Sequence, residues 1–266
     1  MLEMFPKRNT TRDKLIIKKE GIEYILPVGW SLSDSGSYGF RNKLQDCAFA
    51  YGSNIVGDGK IDGRTIQVEF DLRGYTELEH DESVNIACSY FAQSNYDLYV
   101  GRNDRLYHIA GLSKIKQVFR KGFKQRWTCI TVSLLLADPF RYGTNQILIQ
   151  REFTEEQQDA EINFQNPSSV DVPLILTFKP LKSATANSIT LLHTQTGKSM
   201  QLRDTLLTNP AIAVVNAETG TVYRDAANSL NTFSGIFLHA TPGTNTLKYT
   251  GSPCNIDIAF TARWFV

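Results

Sequence analysis

The chain comes nearest to a metal-binding pattern in Asp58-Gly-Lys60-Ile-Asp62-Gly63-Arg-Thr-Ile-Gln-Val-Glu69. Aspartates at positions one and five, glycine at six and glutamate at twelve fit a calcium loop with oxygen ligands. Position three is Lys60, a cation where a ligand oxygen belongs, and the following residues alternate as a strand where a calcium loop leads into a helix. Both failures favour a glycine-rich turn feeding a strand, so no metal is assigned. The four histidines, His80, His108, His193 and His239, match no zinc spacing. The chain contains neither a G-x-S-x-G nucleophile elbow nor a phosphate-binding G-x-x-x-x-G-K-[ST] loop. Carboxylates such as Asp204, Asp225 and Asp257 could pair in space as a glycosidase requires, but spacing alone does not pair them. The expectation is a protein with no catalytic residues, no metal and no cofactor.

Two stretches suit binding better than catalysis. Between Asp104 and Asp138 there is no acidic residue, while Arg105, Lys114, Lys116, Arg120, Lys121, Lys124 and Arg126 are present, interleaved with Phe119, Phe123 and Trp127. Single-strand nucleic-acid binders use this mixture for backbone attraction and base stacking. A net charge of +1 argues against that use and favours a solvated strand face and loop, or cations that meet acids on a neighbouring subunit. The other stretch is the aromatic set Tyr223, Phe233, Phe237, His239, Tyr249 and Trp264, a sugar-stacking inventory whose simpler reading is inward-facing core.

These residues must be positioned by strands. Thr65–Leu72 alternates polar and apolar without a fault, and shorter strands are expected at Lys14–Lys18, Asp97–Val100, Leu106–Ala110, Ile115–Phe119 and Trp127–Leu136, with a turn at Asn103-Asp104. Thr76–Gln93 differs: Val84, Ala87, Cys88 and Phe91 share a helical face, and Thr76 with Glu79 forms a capping-box pattern, with Asp81 and Glu82 near the positive end of the dipole. One amphipathic helix covering a sheet is expected.

From Pro167 onward there are 7 Lys/Arg, 5 Asp/Glu and 15 Thr, and short β-branched runs alternate with turn residues. Strands are expected at Pro173–Phe178, Ser188–His193, Ala211–Asn216, Thr246–Thr250 and Ile256–Phe260, as in an antiparallel sandwich. The acidic stretch Glu152–Glu161 reads as a solvated loop or linker near a boundary between Asp138 and Asn166. The fold class is therefore mainly β, with an N-terminal domain over 1–143 and a C-terminal sandwich over 144–266.

With 266 residues and 42% hydrophobic content the chain can bury a core without staples. Cys47, Cys88, Cys129 and Cys254 form no C-x-x-C pair and sit in apolar neighbourhoods, where a free thiol acts as a small hydrophobe. The first three are 41 residues apart each time, but their flanking residues do not match, so no repeat is inferred. The basic start, MLEMFPKRNTTRDKLIIKKE, lacks the apolar core of a signal peptide, and Leu134–Ala137 and Ala211–Val215 fall far short of the roughly 18 apolar residues of a membrane span. A protein that stays in the cytoplasm where it is made is expected.

Laid end to end, the motifs have an order. A turn enters Gly63-Arg64-x-Ile66-x-Val68, followed by the helix, Leu98-x-x-Gly101 … Leu106-Tyr107, and a long strand ending Leu134-Leu-Leu-Ala-Asp138-Pro139-Phe140. The second half runs Ile162-x-Phe164-x-Asn166 … Pro173-x-Ile175, Val214-Val215-Asn216-x-x-Thr219-Gly220 and Pro242-Gly243-x-Asn245-x-Leu247. This order, over nearly the whole chain, resembles the distal tail (Dit) protein family of siphophages. Asn166-Pro167 departs from the family pattern, in which glycine follows the asparagine.

The resemblance implies an N-terminal ring-forming β domain with one covering helix and a galectin-like or carbohydrate-module-like C-terminal sandwich. It implies a structural virion protein, a hexameric distal tail hub joining the tail tube to baseplate or tip proteins, with DNA passing as cargo through its channel. It implies a place at the virion's tail tip after assembly in the host cytoplasm, and no catalytic or cofactor-binding residues. Two other classes remain: a carbohydrate-binding sandwich acting in adhesion to a host glycan, and a nucleic-acid binder using Lys114–Arg126.

Overall fold

The computed structural model describes residues 14–26, 30–34, 37–47, 51–101, 104–122, 126–181 and 188–265. It divides into two compact units, Met1–Thr144 with Val266, and Asn145–Phe265. The basic start through Asp13, the turn residue Asn103, and Phe123 and Lys124 lie outside the described residues.

The first unit contains β1 (Leu15–Lys19), β2 (Ile22–Ile25), β3 (Trp30–Asp34), β4 (Phe40–Asp46), β5 (Ser53–Ile61), β6 (Arg64–Arg73), α1 (Glu77–Phe91), β7 (Tyr96–Val100), β8 (Arg105–Ile109), β9 (Gly111–Phe119), β10 (Trp127–Leu136) and the first residues of β11 (Arg141–Phe153). One antiparallel sheet has the order β3-β6-β10-β9; β2, β1, β7 and β8 follow one another in a second. In β6 the alternation read from the sequence becomes burial: Ile66, Val68, Phe70 and Leu72 face the core, each stabilised by about 1.5–3 kcal/mol. In register on β10, Leu134, Val132, Ile130 and Thr128 stand opposite Ile66, Val68, Phe70 and Leu72, and all four are buried too.

The helix starts where its cap places it. Thr76 Oγ1 accepts the Glu79 N–H at 3.1 Å, and Glu79 Oε2 accepts the Tyr75 and Thr76 N–H groups at 3.1 and 3.3 Å. Val84, Ala87 and Phe91 are buried on its inner face, with Phe91 stacked 5.5 Å from Phe70. His80 is buried beside them, which the sequence pattern of apolar residues did not include.

The second unit contains β12 (Gln157–Asn166), β13 (Val172–Pro173), β14 (Ile175–Pro180), β15 (Ile189–His193), β16 (Lys198–Leu202), β17 (Ala213–Asn216), β18 (Thr221–Arg224), β19 (Ala227–Asn228), β20 (Phe233–Gly235), β21 (His239–Ala240), β22 (Gly243–Gly251) and β23 (Cys254–Trp264). It is an antiparallel β-sandwich. One sheet is β12-β22-β15-β16-β20 and the other includes β19-β18-β17-β14-β23. Ile162, Phe164, Leu191, Met200 and Leu247 from the first meet Leu176, Phe178, Val215, Ile256 and Phe260 from the second in one core.

The acidic stretch Glu152–Glu161 is not a linker. Glu152 and Phe153 end β11, and the chain resumes as β12 at Gln157, paired to Gly251 and, from Ala160, to Tyr249 and Lys248 of β22. Its acids are all exposed, Glu152, Asp159 and Glu161 within strands and Glu155 and Glu156 in the short turn between them, a composition that a solvated loop shares. The region Asp58–Gly63 also departs from a simple turn: Asp58–Ile61 belong to β5, and only Asp62 and Gly63 stand between strands. A Cβ on Gly57 would lie 1.8 Å from the Arg41 carbonyl oxygen, so glycine is required where β4 and β5 close on one another.

Candidate functional surfaces

The chemistry-bearing side chains are dispersed. His80 Nε2 lies 2.8 Å from Thr128 Oγ1 and its Nδ1 lies 3.2 Å from Asp81. His108 pairs with Asp97 at 2.7 Å on the surface, while buried His193 is held between Thr196 and Asn245, 2.8 Å from each. Among the described residues no three His, Cys, Asp or Glu side chains gather as a metal would need.

The three carboxylates do not form a pair. Asp225 accepts the Ile212 N–H at 3.0 Å, and Asp257 accepts Lys179 Nζ at 2.6 Å and Gln150 Nε2 at 3.0 Å. Asp204 is 2% exposed and accepts Arg224 Nη1 at 2.6 Å on both oxygens, Ser229 Oγ at 2.9 Å and the Leu206 N–H at 3.0 Å. Burial pushes its carboxyl up, but the bonds from Arg224, Leu206 and Ser229 outweigh that and hold it below its ordinary 3.8. These groups are structural ties.

The basic stretch divides across a sheet. In β9, Lys114 and Lys116 stand opposite Ser133 and Thr131 of β10, which stand opposite Gln67 and Glu69 of β6. This places a lysine column, a hydroxyl column and the Gln67–Glu69 column side by side on one wet sheet face. Glu69 accepts the Cys129 thiol at 3.2 Å; burial, with Glu69 beside it, pushes that thiol up to about 11.

Phe119 lies on the other face, its ring 6.3 Å from His80. Trp127 has the Arg73 guanidinium 3.6 Å from its ring and Arg120 at 5.9 Å, and Arg120 also pairs with Asp71 at 3.3 Å. Arg126 donates to the Tyr75 carbonyl at 2.9 Å. Trp127 is thus already stacked by the protein's own cations, which favours the solvated-face reading.

The aromatic set of the second unit separates into three environments. Tyr249 is core, stacked 4.8 Å from Phe153, its thiol neighbour Cys254 pushed up to about 12 by burial. Phe233 and Phe237 stack on each other at 4.5 Å at the core margin, half-buried, with exposed Ile236 between them in sequence. Tyr223 and His239 are exposed, and Trp264 Nε1 donates to the Pro167 carbonyl at 2.9 Å. An inward-facing core role therefore holds for Tyr249 and, at the margin, for Phe233 and Phe237, which pack against the core, and fails for the exposed Tyr223 and His239.

One surface had no counterpart in the sequence reading. Among the described residues strands β4 and β5 pair only with each other, and all of their 16 residues but Ile61 are exposed. Leu44 and Ile55 are directly opposite in register and 74% and 73% exposed; Phe40, opposite Ile61, is 54% exposed. The runs Phe40–Leu44 and Ile55–Ile61 flanking Gly52-Ser53 were the available signal.

Residues 167–264 match the family model described as the siphovirus-type tail component, C-terminal domain. No curated protein sequence matches the chain. Among solved structures it is similar to the SPP1 Dit (gp 19.1) protein, described as a paradigm of the hub adsorption apparatus in phages infecting Gram-positive bacteria. That likeness has a TM-score of 0.69 at 12% identity, covering 93% of this chain and 98% of that one. A chain of the phage P2 baseplate in its activated conformation with Ca gives a TM-score of 0.42 at 8% identity, covering 92% of this chain and 97% of that one.

The resemblance to the distal tail family is borne out. The departure at Asn166-Pro167 is also accounted for: buried Asn166 accepts the Ser168 N–H at 3.0 Å and donates to the Ala240 and Thr241 carbonyls. Its side chain closes the turn into Pro167-Ser168.

Proposed function

We propose that the protein is a structural virion component of a long-tailed bacteriophage or prophage, the distal tail hub. Six copies form a ring through the first unit, join the tail tube to baseplate or tip proteins, and leave a channel through which DNA passes. The observation that carries this reading is the likeness, over 93% of the chain, to a hub protein, together with the tail-component match of residues 167–264. The first unit supports it physically: its β3-β6-β10-β9 sheet has one wet face, and β3 and β9 each pair on one side only among the described residues. Open edges of this kind are what a ring interface joins or covers. In this role the protein catalyses nothing and binds no cofactor, and it resides at the virion's tail tip.

The test is absolute mass by light scattering after size exclusion. A ring of six copies of 29.9 kDa would weigh about 180 kDa. A monomer near 30 kDa at every concentration would sink the ring. A second reading, an adhesion role through host glycan, is favoured by the half-buried Phe233–Phe237 pair and exposed Ile236. Retardation of the protein in polysaccharide gels, abolished by Phe237→Ala, would support it; unaltered migration would remove it.

A further inference from the structure

Helix α1 carries no Lys or Arg at any of its 15 positions, while Glu77, Glu79, Asp81 and Glu82 crowd its first two turns. All four are exposed, and among the described residues none pairs with a lysine or arginine: Glu79 is engaged in the cap and Asp81 with His80. Arg126 reaches this end of the helix but donates to the Tyr75 carbonyl, not to an acid. The positive end of the helix dipole accounts for acids at these positions. It does not account for the apolar side chains set among them.

Val84, Ala87 and Phe91 are buried on the inner side of α1. On the opposite side Leu78, Glu82 and Ile86 follow one another at four-residue steps, with Asn85 and Ser89 beside them, all exposed. Leu78 is 70% and Ile86 50% exposed, and Tyr75, just ahead of the cap, is 91% exposed. A helix whose inner side enters a core ordinarily presents polar side chains outward. This one presents an aliphatic side chain on either side of a carboxylate.

We propose that the outward stripe of α1 docks a basic amphipathic helix of a different protein. The Lys and Arg side chains of that helix meet Glu77, Asp81 and Glu82, and its apolar side chains cover Leu78 and Ile86. Charge selects this occupant: a face with acids and no cation attracts a basic segment and repels an acidic one. A symmetric pairing of two α1 stripes would set the same carboxylates against each other. Leu78 and Ile86 stand about 12 Å apart along the axis, so the partner needs apolar anchors seven or eight residues apart on one helical face. The proposal goes beyond the hub reading, which names neighbours but no surface for them, and it can be tested on one copy or on six.

The probe is a fluorescein-labelled lysine–leucine peptide about as long as α1, its leucines on one helical face, followed by anisotropy with the full chain at low salt. It is expected to bind, and a scrambled peptide of the same composition to bind at least about tenfold more weakly. Leu78→Ser/Ile86→Ser and Glu82→Lys should each weaken binding about tenfold or more. Glu161→Lys, the same charge change at an exposed position of β12, should alter it by less than about twofold. All three variants should keep the wild-type melting temperature, because none of these side chains is buried.

Binding that survives Leu78→Ser/Ile86→Ser, or that Glu161→Lys weakens as much as Glu82→Lys does, is attraction to net charge and overturns the docking face. Equal binding of the scrambled peptide, or no binding of the patterned one, overturns it as well. If Leu78→Ser/Ile86→Ser lowers the mass of the protein alone in light scattering, a second copy covers the stripe and the assignment to a different protein is overturned. A monomer that binds the patterned peptide through this stripe supports the docking face while removing the ring.

Discussion

Replacing Asp204 with asparagine keeps the shape of a 2%-exposed side chain and removes its charge. Arg224, whose side chain is 20% exposed, then donates to a neutral amide where it had a carboxylate on both oxygens at 2.6 Å. Breaking a buried pair by removing one partner costs about 3–5 kcal/mol, and the partial exposure of Arg224 brings the expected loss to about 2–3 kcal/mol. In a unit of about 120 residues, at roughly 4 °C per kcal/mol, the second unit should melt about 10 °C lower at pH 7.

The pH dependence carries the same logic. The folded carboxyl sits below its ordinary 3.8, so its stabilisation is complete above that value and is lost as pH falls through the folded value. The gap between wild type and Asp204→Asn should therefore close below about pH 3.8. A second variant separates charge from packing: Asp204→Asn/Arg224→Met should recover at least half of the loss, because no guanidinium is left without its carboxylate. The assay is differential scanning calorimetry of the full chain from pH 2 to 8. A shift of under 2 °C at pH 7, or a gap undiminished at pH 2, would refute the reasoning.

Three further outcomes are expected. Thr76→Ala removes the acceptor of the Glu79 N–H and should cost about 1 kcal/mol in the first unit, read by thermal melting; an unchanged transition would mean the cap is redundant. At pH 8 a maleimide should label the partly exposed Cys47 and Cys88 in the native protein. Cys254, raised to about 12, and Cys129, raised to about 11, should react only after denaturation; labelling of Cys254 at the Cys47 rate would contradict its burial. Arg73→Ala should change Trp127 fluorescence while leaving the fold intact, since the guanidinium stacks 3.6 Å from that ring; an identical spectrum would count against the stack.

Local rules account for what was legible before folding. The alternation over Thr65–Leu72 specifies which side chains of β6 enter the core, because a strand's period is two and a one-residue slip would expose all of them. Thr76 and Glu79 specify the start of α1, because the cap is made within four residues. The ordered motifs were sufficient for the family resemblance, and the sandwich strands announced themselves through β-branched runs between turn residues.

Tertiary structure decided what depends on distant partners. Glu152–Glu161 has a linker's composition, yet Gln157 onward is strand because β22, some 90 residues away, supplies its hydrogen bonds. His80 joins the core through Thr128, 48 residues on, and Asp204 finds Arg224 and Ser229 across turns that no spacing rule connects. The exposed hairpin was invisible for the converse reason. Phe40, Leu44 and Ile55 look like core residues in sequence, and only the packed structure, with both cores filled by others, leaves them facing outward.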